Sequence, residues 1–136
     1  MVDAALVGKK ILYVEDDEAS RYLMDMIIAD IGCGLVVCPD GPQAIEKLKQ
    51  EKFDLVFMDI RMPKMNGYEA SRIIRQLDKD IPIVAVTAHA GEMVLGTMLE
   101  CWNSGMNGFV SKPCTPEDII GEVRRWLLIG RRPSPS

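Results

Sequence analysis

Residues 53–67, FDLVFMDIRMPKMNG, decide how the whole chain is read. Leu55, Val56, Phe57 and Met58 form a short, continuous apolar run. A run of that length without alternation suits a strand buried on both faces, although a buried piece of helix shares the pattern. Asp59 stands where the run ends, and Arg61-Met62-Pro63 and Asn66-Gly67 then turn the chain. An acid at the carboxyl end of a buried strand lies where open α/β sheets keep their ligand sites. On this stretch alone, an acid capping a strand-to-loop turn explains Asp59 adequately.

Working outward, the same pattern recurs. Ile11, Leu12, Tyr13 and Val14 read as a first buried strand, followed at once by Glu15, Asp16, Asp17 and Glu18. Asp17 suits a helix N-cap, and acids in a first turn complement the helix dipole. That accounts for Asp17 and Glu18, but not for acids that begin directly at the strand's end. A helix is predicted over residues 18–31, with Leu23, Ile27 and Ile31 on its apolar face and Gly32 and Gly34 closing it. Residues 35–37 make a short second strand, and Asp40 is a candidate cap for a helix carrying Ala44, Ile45 and Leu48 inward.

After Asp59, residues 68–76 read as a third helix with Ala70, Ile73 and Ile74 inward. Residues 81–86 form a fourth strand, with Pro82 at its start, where a missing N–H is tolerated, and Thr87-Ala88-His89-Ala90 at its end. A fourth helix spans roughly 92–104, and a fifth strand, 108–111, ends at Lys112-Pro113. Thr115-Pro116-Glu117-Asp118 is a well-formed helix start, and Ile119, Ile120, Val123, Trp126 and Leu127 supply that helix's inner face. Five strand–helix units imply an α/β domain with a parallel sheet and helices on both faces. Residues 1–8 read as an N-terminal extension, 9–129 as the domain, and 130–136 as a disordered Pro/Ser tail or linker stub.

With 136 residues, 48% hydrophobic and 26% charged, the chain has the size and composition of one globular domain. A net charge of −4 argues against direct nucleic-acid binding. No apolar run approaches the roughly 20 residues that span a bilayer. The N-terminal lysines follow a short apolar patch, the reverse of a secretory signal, so the expected location is cytoplasmic and away from the membrane. Cys33, Cys38, Cys101 and Cys114 include no CxxC pair, and His89 is the single histidine. That disfavours zinc and a disulfide framework and leaves reduced thiols.

Polar residues therefore stand at the ends of four predicted strands: Glu15 and Asp16, Asp59, Thr87, and Lys112. The carboxyl ends of parallel strands open on one edge, so these side chains can converge although the sequence scatters them. Three carboxylates in close reach repel one another. A hard divalent cation relieves that, and oxygen-only ligands favour Mg²⁺ over zinc. Two acids can hold the ion while the third acts as nucleophile, Lys112 offers a fixed positive charge to a phosphate, and Thr87 offers a hydroxyl.

Four segments, ILYVEDD, FDLVFMDIRMPKMNGYEA, IPIVAVTA and GFVSKP, occur in an order and at separations that resemble the receiver domain of two-component response regulators, from about Lys9 to Leu128. The resemblance implies a flavodoxin-like (βα)5 fold with sheet order 2-1-3-4-5. It implies Asp59 as phosphoacceptor, taking a phosphoryl group from the phosphohistidine of a histidine kinase or histidine phosphotransfer protein. It implies Mg²⁺, with Mn²⁺ able to substitute, held by Glu15, Asp16, Asp59 and the backbone carbonyl of Arg61. Thr87 and Phe109 fall on switch positions, Lys112 on the phosphate-pairing position, and the Lys112–Pro113 bond is implied to be cis. The domain would catalyse only its own phosphorylation and dephosphorylation.

This chain departs from the commoner pattern in having Glu15 for aspartate and Phe109 for tyrosine. Arg61 and His89 occupy positions that tune phosphoryl lifetime in the family, and bulky Arg61 predicts slow dephosphorylation. Output is expected on the face of the fourth helix, fifth strand and fifth helix, where Met93, Val94, Leu95, Met98, Leu99, Cys101 and Trp102 spread beyond one apolar stripe. The TAHA and SKP segments resemble receivers fused to hybrid sensor kinases, which suggests a phosphorelay. Three other readings stand beside this one. A degenerate receiver used only for docking retains the fold. An FMN binder needs a hydroxyl- and Gly-rich loop where this chain has four acids. An aspartate-nucleophile phosphatase of the haloacid-dehalogenase type wants a second aspartate where Arg61 stands.

Overall fold

The computed structural model describes residues 2–88 and 94–128. Strands β1 (Lys10–Val14), β2 (Gly34–Cys38), β3 (Leu55–Asp59), β4 (Ile83–Thr87) and β5 (Gly108–Ser111) alternate with helices α1 (Glu18–Asp30), α2 (Gly41–Gln50), α3 (Gly67–Leu77), α4 (Val94–Asn103) and α5 (Pro116–Leu127). The strands form one parallel sheet in the order β2-β1-β3-β4-β5. This is the flavodoxin-like order expected from the sequence. Chain order reverses between β1 and β3, and there the helices leave toward opposite faces and open a crevice at the strands' carboxyl ends.

Register aligns those ends. Val14 pairs with Met58, Asp59 with Val86, and Thr87 with Ser111. Glu15, Asp59, Thr87 and Lys112 therefore sit at or one residue past the same edge. Alternation along the strands divides the core into two layers. Leu12, Val14, Val56, Met58, Ile83 and Ala85 pack with apolar residues of α2 and α3 on one face. Ile11, Tyr13, Leu55, Phe57, Val84 and Val86 pack with those of α1 and α5 on the other. Every residue of β3 and β4 is buried, which is why their sequences read as unbroken apolar runs.

Side-chain caps fix where the helices leave this edge. Asp17, Asp40, Asn66 and Thr115 each accept a hydrogen bond from a first-turn N–H, and the last two complete capping boxes with Glu69 and Asp118. Such caps contribute about 1 kcal/mol each.

Two expectations are corrected. Leu23 is 46% exposed, and the buried stripe of α1 with its cap is Met24, Ile27, Ile28 and Ile31. Spacing by four drifts about 40° per step at 3.6 residues per turn, so a face drawn through Leu23, Ile27 and Ile31 runs off the stripe. Gly34 opens β2 and does not close α1. Gly32, at φ +89°, does that alone. Part of segment 1–8 is built into the fold. Leu6 is fully buried, the Asp3 N–H donates to Ile31 O at 3.1 Å, and Asp3 Oδ2 lies 3.4 Å from Arg124 Nε.

On α4, Cys101 is buried while Met98, Leu99 and Trp102 are 40–56% exposed, so its apolar residues do extend beyond the packed face. His89, Met93 and the tail at 130–136 lie outside the described residues. The cysteines are free, and Cys33, Cys38 and Cys101 are buried. Burial pushes these three thiols up, Cys101 to about 11, which keeps them protonated and unreactive. No helix among the described residues is long and apolar enough to cross a membrane.

Candidate functional site

Glu15 follows β1 directly and is 1% exposed, Asp59 closes β3 at 7%, and Thr87 closes β4, also buried. Asp16 is exposed at the mouth. Carboxylate oxygens of Glu15, Asp16 and Asp59 all lie within 4.8 Å of one another. Lys112, just past β5, places Nζ 2.6 Å from Glu15 Oε1 and 3.8 Å from Asp59 Oδ1. Its backbone N–H donates to Thr87 O at 2.7 Å, which ties the ends of β4 and β5 together, and the Lys112–Pro113 bond is cis. Phe109 is half-buried against the core layer of α2 and α3. The site thus gathers Glu15, Asp16, Asp59, Thr87 and Lys112 from four strand ends.

The floor is set by close backbone approach. Gly67 N donates to Ile60 O at 2.8 Å, and a Cβ at Gly67 would sit 2.4 Å from Asp59 O. The loop from Asp59 to Gly67 is therefore folded tightly against the start of α3. Lys64 in that loop has φ 70° and reaches Asp40, the α2 cap, with Nζ 3.3 Å from Oδ2.

Burial pushes Asp59 up, and the neighbouring Glu15 charge and hydrogen bond push it further, to about 7. Lys112 and the Arg61 N–H offset only part of this. Glu15 moves the other way. Burial would raise it, but hydrogen bonds from Lys112 and the Asp17 N–H outweigh burial and hold it below the usual range. For Lys112, burial works against the charge, yet the Glu15 hydrogen bond and the Asp59 charge win and raise its pKa. Burial and the charged, Lys112-paired Glu15 thus both act against a charge on Asp59. An all-oxygen set of three carboxylates beside a single lysine fits a hard divalent cation.

The response regulator receiver domain model matches residues 11–124. The chain belongs to the response regulator receiver domain family. Among known proteins this receiver is similar to the transcription factor SKN7 of Saccharomyces cerevisiae, 38% identical over 120 residues, covering 88% of this chain and 19% of that protein. It is also similar to the sensor protein GacS of Pseudomonas syringae pv. syringae, 34% identical over 132 residues, covering 93% of this chain and 14% of the other. The receiver therefore spans less than a fifth of the length of these relatives. Among solved structures, the receiver domain of the sensor histidine kinase PA1611 from Pseudomonas aeruginosa, described with a magnesium ion in its active-site cleft, superposes with a TM-score of 0.81. That pair is 30% identical, with 89% of this chain and 98% of that one covered. Chemotaxis protein CheY4 of Vibrio cholerae superposes with a TM-score of 0.80 at 27% identity, covering 86% and 97%. This is a receiver of two-component signalling, and neither the flavin-binding nor the phosphatase reading is favoured.

The sequence reading missed one polar contact in the receiver's site. Tyr13 was counted as part of a buried apolar strand, yet its hydroxyl donates to Glu15 Oε1 at 3.0 Å. The signal was available, because residues two apart on a strand share a face and a buried Tyr hydroxyl needs a partner.

Proposed function

We propose that this receiver takes a phosphoryl group onto Asp59 from a partner's phosphohistidine, with Mg²⁺ held by Glu15, Asp16, Asp59 and the Arg61 carbonyl. The observation that carries this is the convergence of three carboxylates and one lysine on a single edge, with Lys112 within 4 Å of both Glu15 and Asp59. When bound, the ion neutralises charge on the acids and on the transferring phosphoryl oxygens. An Asp59 carboxylate oxygen attacks phosphorus as the bond to the imidazole nitrogen breaks. Lys112 turns from Glu15 to the phosphoryl oxygens, and the Thr87 hydroxyl donates to another. The added charge and acceptors then bias the Thr87 and Phe109 conformations and, with them, the α4-β5-α5 face, where Met98, Leu99 and Trp102 offer an effector an apolar surface.

The phosphohistidine partner docks beside the acidic mouth. There Tyr22, Leu23 and Met26 of α1 are exposed. Leu23 also lines a groove of about 370 Å³, together with Ser20, Ile27, Lys112, Pro113 and Ile119. A largely apolar groove that reaches Lys112 suits a helix that presents a phosphorylated histidine.

Incubation with acetyl phosphate and Mg²⁺ is expected to add one phosphoryl group by intact mass, and Asp59→Asn to add none. No modification of the unaltered protein under any condition would support the docking-only alternative. Arg61, exposed beside Asp59, shields the acyl phosphate from water in this reading. Arg61→Asn is accordingly expected to shorten the phosphoryl lifetime several-fold, followed by loss of the phosphorylated mass with time. An unchanged decay rate would remove Arg61 from that role.

A further inference from the structure

Glu15 carries one methylene more than the aspartate it replaces, so its carboxylate has an additional rotor to immobilise. Three donors do this. Oε1 accepts from the Tyr13 hydroxyl at 3.0 Å and from Lys112 Nζ at 2.6 Å, and Oε2 accepts from the Asp17 N–H at 3.2 Å. They differ in permanence. Lys112 is on a long, part-exposed side chain and is drawn equally to any anion that enters the site. Tyr13 is 2% exposed, and its ring is fixed in the layer formed by β1, α1 and α5. Val, Ile or Leu would fill a buried strand position as well, so the hydroxyl at residue 13 is not explained by packing.

We infer that Tyr13 is a positioning residue whose hydroxyl holds the Glu15 carboxylate toward Asp16 and Asp59, so that the cation site keeps its shape when Lys112 leaves Glu15 for a phosphate. The inference rests on the proposed Mg²⁺ site. It makes Tyr13 and Glu15 a matched pair. An aspartate at residue 15 would draw the carboxylate back by one bond, beyond hydrogen-bond reach of the hydroxyl, and would need no such support.

The test is Mg²⁺ titration by isothermal calorimetry of the unmodified receiver, Tyr13→Phe, Glu15→Asp and the double variant at one pH. Tyr13→Phe is expected to weaken Mg²⁺ about tenfold, as removal of an outer-sphere partner does. In the Glu15→Asp background the same change is expected to have little effect. A loss that is equal in both backgrounds, or absent with Glu15 present, overturns the inference while leaving the metal site intact. No Mg²⁺ binding by the unmodified receiver overturns the metal site and the inference together. A second readout requires no change at Tyr13. Adding Mg²⁺ to the unmodified receiver should perturb a buried tyrosine in the near-ultraviolet difference spectrum, and Glu15→Asp should lose that signal. A role confined to packing predicts the same spectrum for both proteins.

Discussion

Gly67→Ala is expected to destabilise this receiver by about 3 kcal/mol, in the range of overpacked sites. That corresponds to a fall in Tm of roughly 10 °C for a domain of this size. The reason is local and steric. A Cβ on Gly67 would sit 2.4 Å from Asp59 O and 2.9 Å from Ile60 Cα, and backbone atoms cannot swing aside as a side-chain tip can. Relief requires α3 to pull away from the end of β3, which breaks the Gly67 N–H to Ile60 O hydrogen bond. Because the same loop carries Asp59 and Arg61, Mg²⁺ affinity should fall with stability. Thermal melts with and without Mg²⁺ check both parts. An alanine variant that melts with the parent would mean that the loop relaxes freely, contrary to its tight fold. By contrast, Gly96→Ala, whose Cβ would meet nothing within 4 Å, should not destabilise.

Asp59→Asn is expected to stabilise the metal-free receiver at pH 8 by a few kcal/mol and to do nothing at pH 4. The sign follows from proton binding. In the folded chain Asp59 is pushed up to about 7 by burial and by Glu15. Unfolded, it titrates near its ordinary value, about 3.9. Between those values the folded state holds a proton that the unfolded state has released. Stability therefore falls as pH rises from about 4 to about 7 and stays low above that. Some three pKa units set an upper bound of about 4 kcal/mol, reduced because Glu15, held low by Lys112, shares the proton. Asparagine keeps the shape and cannot ionise, so the variant loses this pH dependence. Urea unfolding in chelator between pH 4 and 8 measures it. Equal stabilities at pH 8 would show that Asp59 is not strained by its neighbours. Mg²⁺ should close the gap by stabilising only the protein with the full acid set.

The two experiments address the same few ångströms from different sides, and the sequence made them unequally visible. Gly67 follows Asn66 in an evident turn, but nothing in a turn signal says that its missing Cβ faces the carbonyl of the nucleophile. Asp59 stands out only beside Glu15, Asp16, Thr87 and Lys112 at the other strand ends, because alone it reads as a turn cap. Its raised pKa is not legible in the sequence, because that depends on its burial in the fold and on Glu15, 44 residues away in the chain, lying beside it. Leu23 shows the opposite failure. Its spacing to Ile27 and Ile31 looked helical and inward, and it is exposed, because a face drawn by steps of four drifts around the helix. Leu6 reads as part of an N-terminal extension and is in the core, because an apolar patch of a few residues is too short to show a period.

By itself the sequence determined the alternation of buried strands and amphipathic helices, hence a parallel sheet, and hence a single edge on which Glu15, Asp16, Asp59, Thr87 and Lys112 can converge. Those are consequences of periodicity and of strand direction, which are local properties. Only the tertiary structure decided how the site is wired: Lys112 and Tyr13 bond to Glu15, and burial beside Glu15 raises the pKa of Asp59. That wiring depends on contacts of 2.6 and 3.8 Å from Lys112 to acids at two other strand ends and of 3.0 Å from Tyr13 to Glu15, and at low dielectric such interactions are steep in distance.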